Sequence, residues 1–191
     1  MVTTLYGSID HGDFAGKSLQ LIKEVLPSAQ RFAVLWDVNT GPSQRNAIRA
    51  AAKAKSLEVR ILEFRELAGL DSLLNLGLQD RPHAVVQLGS PLFSQFGSRI
   101  AEFLAPHRLP GISQHREFST NGGLMSYGAN RTLFFERLGY QVSRIIKGAR
   151  VSELAAEQPT RFEFILNLKA ANALGIKFPA SVLARADEVI E

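Results

Sequence analysis

Short apolar runs alternate with helix-like segments over residues 28–113, and this alternation constrains the fold more than any other feature of the chain. The runs predict strands, and the segments between them have the apolar spacing or the alanine content of helices. The predicted strands are Arg31–Trp36, 57–63, 84–88 and 109–112, and the predicted helices are 14–26, 43–55, 70–78 and 93–104. Strands joined through helices form a parallel sheet with right-handed crossovers. The sequence therefore predicts an α/β fold, a parallel sheet flanked by helices.

The pattern changes after residue 113. A turn is predicted at residues 121–123, then a short strand, a long helix from Phe134 to a stop near Gly148, a strand around Phe164 and a partly helical tail from Phe178. Residues 114–130 are a candidate crossover or hinge. We therefore divide the chain into an α/β lobe over 1–120 and C-terminal elements over 121–191, which pack on or return toward another lobe.

The composition excludes several classes of protein. The absence of cysteine excludes disulfides, thiolate catalysis and cysteine-ligated zinc. The net charge of +4 is spread along the chain, and its densest basic stretch, from Arg45 to Lys55, has the spacing of one solvated helix face. We therefore expect no nucleic-acid partner. No run of about 18 apolar residues occurs, and the first seven residues lack the pattern of a signal peptide, so the chain as written is expected in the cytoplasm.

No catalytic constellation is found in the sequence. The four histidines, at positions 11, 83, 107 and 115, lack the i, i+3 or i, i+4 partners of a helical metal site. A nucleophile elbow, a P-loop and a dinucleotide-binding glycine motif are all missing. We expect no metal, no cofactor and no enzymatic activity. An enzyme of flavodoxin-like or Rossmann-like build remains an alternative, which would need a catalytic constellation.

Ligands of open parallel sheets bind beyond the carboxyl ends of the strands, where helix N-termini present free N–H groups. Asn39, in the loop after the first strand, is a candidate ligand residue; alternatively it or Thr40 caps the next helix. In the loop after the third strand, Ser90, Pro91 and Phe93 are candidates. Ser90 followed by Pro91 also predicts an N-cap and a first helical residue. These two interpretations of Ser90 are compatible.

Two further candidates lie near the crossover. Arg116 follows the fourth strand and either pairs with a ligand carboxylate or is exposed to solvent beside Glu117. Tyr127 follows the glycine pair at 122–123 and either stacks on a ligand or packs under the hinge.

Several stretches together resemble a known family, the uncharacterised ABC-transporter substrate-binding proteins related to tryptophan- and tyrosine-binding components. The most specific are Gly-Gly-Leu-Met-Ser-Tyr-Gly at 122–128 and Glu-Gln-Pro-Thr at 157–160. The others are residues 15–24, 32–37, 161–163, 165–169 and 183–190.

The resemblance implies a type I periplasmic-binding fold, in which two lobes close over a small solute. It implies an amino acid as ligand, with an aromatic one favoured, an ABC permease as partner of the full-length protein, and a periplasmic or membrane-anchored location. By this resemblance, we expect the chain as written to lack the signal peptide and most of the N-terminal lobe. We therefore expect exposed apolar surface and homo-oligomers. A cytoplasmic ligand-sensing or interaction domain that reuses the fold is the alternative.

Overall fold

The computed structural model describes residues 11–66, 69–154 and 161–191, and side chains from Phe14 onward. Residues 157–160 of the resembling stretches lie outside this range. The strands are β1 Arg31–Asp37, β2 Glu58–Phe64, β3 Ala84–Gln87, β4 Gly111–Ser113, β5 Met125–Ala129, β6 Phe162–Asn167 and β7 Glu188–Ile190. The helices are α1 His11–Val25, α2 Ser43–Ala54, α3 Leu70–Leu78, α4 Pro91–Gln95, α5 Gly97–Leu104, α6 Arg116–Thr120, α7 Arg131–Ile146, α8 Leu168–Leu174 and α9 Ala180–Leu183.

The seven strands of the described residues belong to one sheet, in the order β2-β1-β3-β4-β5-β6-β7. The strands from β2 to β5 are parallel to their neighbours, as is β7 to β6. The pair β6–β7 runs against the others, because Asn167 donates to the carbonyl of Leu124 and Asn130 to that of Arg161, both at 3.0 Å. The amino ends of β6 and β7 therefore lie at the carboxyl edge of β1, β3 and β4. The predicted α/β sheet flanked by helices is confirmed.

The chain divides into two compact units, and the division differs from the predicted boundary at residue 120. One unit comprises residues 11–128 and 163–191; the described part of the other is 129–154 with residues 161 and 162. The reason is that β6 and β7 add to the edge of the same sheet, so the last 29 residues, 163–191, complete the first unit.

Two hydrophobic clusters cover the two faces of the sheet. Along β1, Phe32, Val34 and Trp36 point into one cluster, and Ala33 and Leu35 point into the other. This strict alternation is what a strand buried on both faces requires. The first cluster is completed by α1 and α2, and the second by α3, α4 and α5. Each large aliphatic side chain so buried stabilises the fold by about 1.5–3 kcal/mol.

One predicted helix needs correction, and two short elements were not predicted. The helix predicted over residues 93–104 is two helices, α4 and α5, which are separated at Phe96. The tail ends in a strand, β7, which is fixed by pairing with β6 rather than by local pattern. The five-residue helix α6 was not predicted.

Candidate functional site

The carboxyl ends of β1, β3 and β4 bring a set of polar side chains together at one edge of the sheet. Asp37 ends β1, Ser90 lies three residues beyond β3, and His115 lies two residues beyond β4. These residues are far apart in sequence, and parallel pairing alone places them side by side.

Asp37 is the centre of this group and is only 2% exposed. One carboxylate oxygen, Oδ1, accepts hydrogen bonds from the backbone N–H of Asn39 at 2.9 Å and from its side-chain amide at 3.0 Å. The other, Oδ2, accepts from the hydroxyl of Ser90 at 2.6 Å. A buried carboxylate is costly unless donors of this kind compensate it. Asp37 therefore ties the loop after β1 to the loop after β3.

Gln44, in the first turn of α2, makes a second tie and is fully buried. Its amide donates to the carbonyl of Gly89 at 2.8 Å, and its carbonyl accepts from the N–H of Gly89 at 2.8 Å. The side-chain amide of Gln114 reaches the same Gln44 carbonyl at 3.5 Å. The backbone around Gly89 is thus held through two points by one side chain.

His115 links the loop after β4 to the same network. Its Nε2 accepts a hydrogen bond from the N–H of Ser90 at 3.2 Å, and its own N–H donates to the hydroxyl of Ser113 at 3.0 Å. An accepting Nε2 carries no proton, so the neutral ring has its proton on Nδ1. We call Asp37, Gln44, Gly89, Ser90, Gln114 and His115 the edge network.

The structure distributes the first four candidate residues between the surface and the core. Asn39 is exposed and bonded to Asp37, whereas the N-cap of α2 is Pro42, so the capping alternative for Asn39 and Thr40 is wrong. The predicted N-cap role of Ser90 is confirmed, since its hydroxyl accepts from the N–H of Leu92.

Pro91 is exposed at the first position of α4. Phe93 is 0% exposed and packs in the core, with its ring centroid 5.3 Å from that of Phe64. In this structure the ring of Phe93 therefore serves packing and offers no surface to a ligand.

Arg116 lies at the same edge, but its guanidinium already has two anionic partners. It contacts Glu163 at 3.2 Å and Glu188 at 3.0 Å, at the amino ends of β6 and β7. Burial opposes the charge of Arg116, yet Glu188 and Glu163 outweigh it and raise the pKa of the guanidinium above its ordinary value. With its side chain 45% exposed, the cluster is accessible from solvent.

Tyr127, in β5, is half-buried between two phenylalanines at this edge. Its ring centroid lies 5.8 Å from that of Phe14 and 6.1 Å from that of Phe164. Burial raises the pKa of the Tyr127 phenol, and the carboxylate of Asp187 raises it further. The ring of Tyr127 thus packs against neighbouring side chains and is also partly exposed. Stacking on a ligand stays a prediction.

The sequence predictions missed Asp37, Gln44, Gln114 and His115 as members of the site. A carboxylate directly after six largely apolar residues was the available signal for Asp37. Gln44 had no signal, because its partner Gly89 is 45 residues away.

Comparison with known proteins assigns the chain to a family. The profile of the ABC transporter substrate binding proteins matches residues 7–190, almost the whole chain. The chain belongs to this ABC transporter substrate-binding family. The family description names a binding role and no chemical reaction. No curated protein matches the chain.

Solved structures show the same fold as this family member. An ABC domain in complex with L-Trp from Streptococcus pneumonia has a TM-score of 0.83 and 20% identity, over 92% of this chain and 60% of that one. A conserved domain protein from Vibrio cholerae has a TM-score of 0.83 and 18% identity, over 92% of this chain and 60% of that one. The ligand-free, open structure of a substrate binding protein with adhesive properties from Clostridium difficile has a TM-score of 0.65 and 19% identity, over 91% of this chain and 59% of that one.

The chain thus spans about 60% of the length of these solved structures. None of the helices that the structure describes has the length and the apolar character needed to cross a membrane. Among the side chains described, no group of three histidine, aspartate or glutamate residues could hold a metal ion.

Proposed function

We propose that this chain is the solute-binding component of an ABC transport system and that the edge network forms one wall of its ligand site. The observation that carries the proposal is the tie between Asp37 and Ser90, which together with Gln44 fixes two strand-end loops in one arrangement. A preformed polar wall of this kind suits a small solute, because binding then costs little conformational entropy for ordering the loops. The partner is a membrane permease, and the location is periplasmic or membrane-anchored, as in the family.

We propose an amino acid as the solute. The N-terminus of α2 supports this choice, since its N-cap, Pro42, supplies no side-chain hydrogen bond and a helix N-terminus suits a carboxylate. The carboxylates of Glu163 and Glu188 suit an ammonium group. Arg116 then organises these carboxylates and does not itself meet the ligand carboxylate. The neighbour from Streptococcus pneumonia, which is bound to L-Trp, supports the same class of solute.

We propose that the side chain of the solute packs on Tyr127, and an aromatic amino acid fits best. Tyr127 is the partly exposed ring of the site, and Phe14 and Phe164 hold it in place. Aromatic pairs add about 0.5–1.5 kcal/mol beyond the area that they bury. Phe93 has no part in the proposed site, because its ring is in the core.

Calorimetric titration with L-tryptophan, L-tyrosine, L-leucine and L-glutamate tests the proposal. We expect saturable binding of at least one of them, with an aromatic one preferred. Tyr127→Phe should keep the affinity, and Tyr127→Ala should reduce it about tenfold. Unchanged affinity in Tyr127→Ala would remove this ring from the site, and no binding of any amino acid would refute the proposed class of solute.

A further inference from the structure

Gly128 lies in β5 where this strand passes the loop after β4, and the approach is unusually close. A Cβ atom added to Gly128 would lie 1.9 Å from the carbonyl oxygen of Gln114 and 2.9 Å from its carbonyl carbon. Both atoms belong to backbone, so they cannot move aside as the end of a flexible side chain does. Only glycine lets the two backbones keep this distance.

The strand register explains why this contact falls beside the edge network. Ser113 of β4 is aligned with Ser126 of β5, so Gln114 and His115 run alongside Tyr127 and Gly128. Gln114 reaches Gln44 through its side chain, and the ring of His115 accepts from the N–H of Ser90. The position of the Gln114 backbone therefore sets both of these contacts.

We propose that Gly128 is a positioning residue of the ligand site: the absence of a Cβ atom allows the Gln114 backbone to lie against β5, which places Gln114 and His115 against the loop at Gly89 and Ser90. The positioning claim concerns the network itself; its effect on ligand affinity rests on the function proposed above. Any larger residue must push the Gln114 carbonyl away by about 1 Å or more before ordinary van der Waals contact is restored. A shift of that size breaks a hydrogen bond of 3.2 Å, such as the one between Ser90 and His115.

Gly77 in α3 offers a control away from the edge network. A Cβ atom there would lie 2.5 Å from the Cδ1 methyl of Leu62 in β2, a clash with a side chain in the core. Gly77→Ala should therefore strain the core without moving Gly89 or Ser90. Gly69 before α3, where a Cβ atom would meet nothing within 4 Å, gives the neutral control Gly69→Ala.

The test is an amide ¹H–¹⁵N NMR spectrum of the ligand-free protein and its variants. We expect Gly128→Ala to shift the backbone amide signals of Gly89 and Ser90, and Gly77→Ala to leave both in place while it lowers the free energy of unfolding. Since this readout needs no ligand, it is independent of the proposed function. Where the protein binds an amino acid, Gly128→Ala should also weaken the affinity about tenfold, as expected for one lost hydrogen bond.

Unshifted Gly89 and Ser90 signals in a folded Gly128→Ala protein would overturn the proposal, as would equal shifts in Gly77→Ala. If Gly128→Ala does not fold, Gln114→Ala decides: the proposal expects it to shift the signal of the Gly89 amide through Gln44. No shift in that variant would refute the link between Gln114 and the network.

Discussion

The hydroxyl of Ser90 donates a 2.6 Å hydrogen bond to the carboxylate of Asp37, joining two residues that are 53 positions apart. The bond fastens the end of β1 to the N-cap of α4. Because both residues are buried, its loss leaves donors that water cannot reach.

Asp37→Ala should lower the free energy of unfolding by about 3 kcal/mol, since Ser90 and Asn39 lose their acceptor together. Asp80→Ala is the control, because Asp80 pairs with Arg60 at the surface with more than half of its side chain exposed. That variant should lose less than about 1 kcal/mol. Urea denaturation measures both, and equal losses would contradict the structural role of Asp37.

Arg116→Gln should change the affinity for an uncharged-side-chain amino acid because it releases the carboxylates of Glu163 and Glu188. It should not act by removing a contact to the carboxylate of the ligand. Without the guanidinium of Arg116, the negative charges of Glu163 and Glu188 are no longer neutralised and repel each other. Binding should therefore become more dependent on salt, because salt screens this repulsion. Titrations at low and high ionic strength measure this effect. Complete loss of binding at both salt concentrations would show that Arg116 contacts the ligand directly.

Alkaline pH should destabilise the protein partly through Tyr127. The pKa of this phenol is raised above 10.0 by burial and by Asp187, so above pH 10 the unfolded chain releases the proton more readily than the folded one. The stabilisation is complete below the unfolded pKa and is lost as the pH rises through the folded pKa. Tyr127→Phe should therefore lose stability less steeply above pH 10 in urea denaturation. Parallel curves for the two proteins would contradict this assignment.

Self-association through α7 stays a prediction, and the structure shows which face would carry it. Phe135, Val142 and Ile146 are 53%, 43% and 80% exposed, and with Gly139 they repeat at spacings of four, three and four residues. This is the apolar stripe by which two helices of separate chains pair. A second copy of the chain is the occupant that we expect, and Gly139 lets the two helices approach closely.

Sedimentation velocity should detect dimers of the wild-type chain, and Ile146→Glu should weaken them at least about tenfold. Leu133→Glu is the control, because Leu133 is exposed on another side of α7. A wild-type chain that stays monomeric at high concentration, or equal effects of the two variants, would refute pairing through this stripe.

Local patterns predicted most of the sheet and less of the site. The α3 bounds, 70–78, agree with the structure, and β1 differs by one residue. Both elements are predictable because the spacing of apolar residues within a short segment indicates a buried strand or an amphipathic helix. The strand β7 was missed because only its pairing with β6 makes it a strand. Ser90 was read correctly as an N-cap, since capping is local, whereas its bond to Asp37 depends on parallel pairing. Phe93 was placed at the ligand surface because the loop position is visible in sequence and the direction of the ring is not.

The most direct test of the central claim is a titration of the ¹⁵N-labelled protein with L-tryptophan and L-tyrosine, followed by amide NMR. The account predicts saturable shifts for at least one of them at Gly89, Ser90 and Gln114, at the carboxyl edge of the sheet. Saturable shifts confined to residues away from this edge, or no shifts at millimolar concentrations of either amino acid, would contradict it.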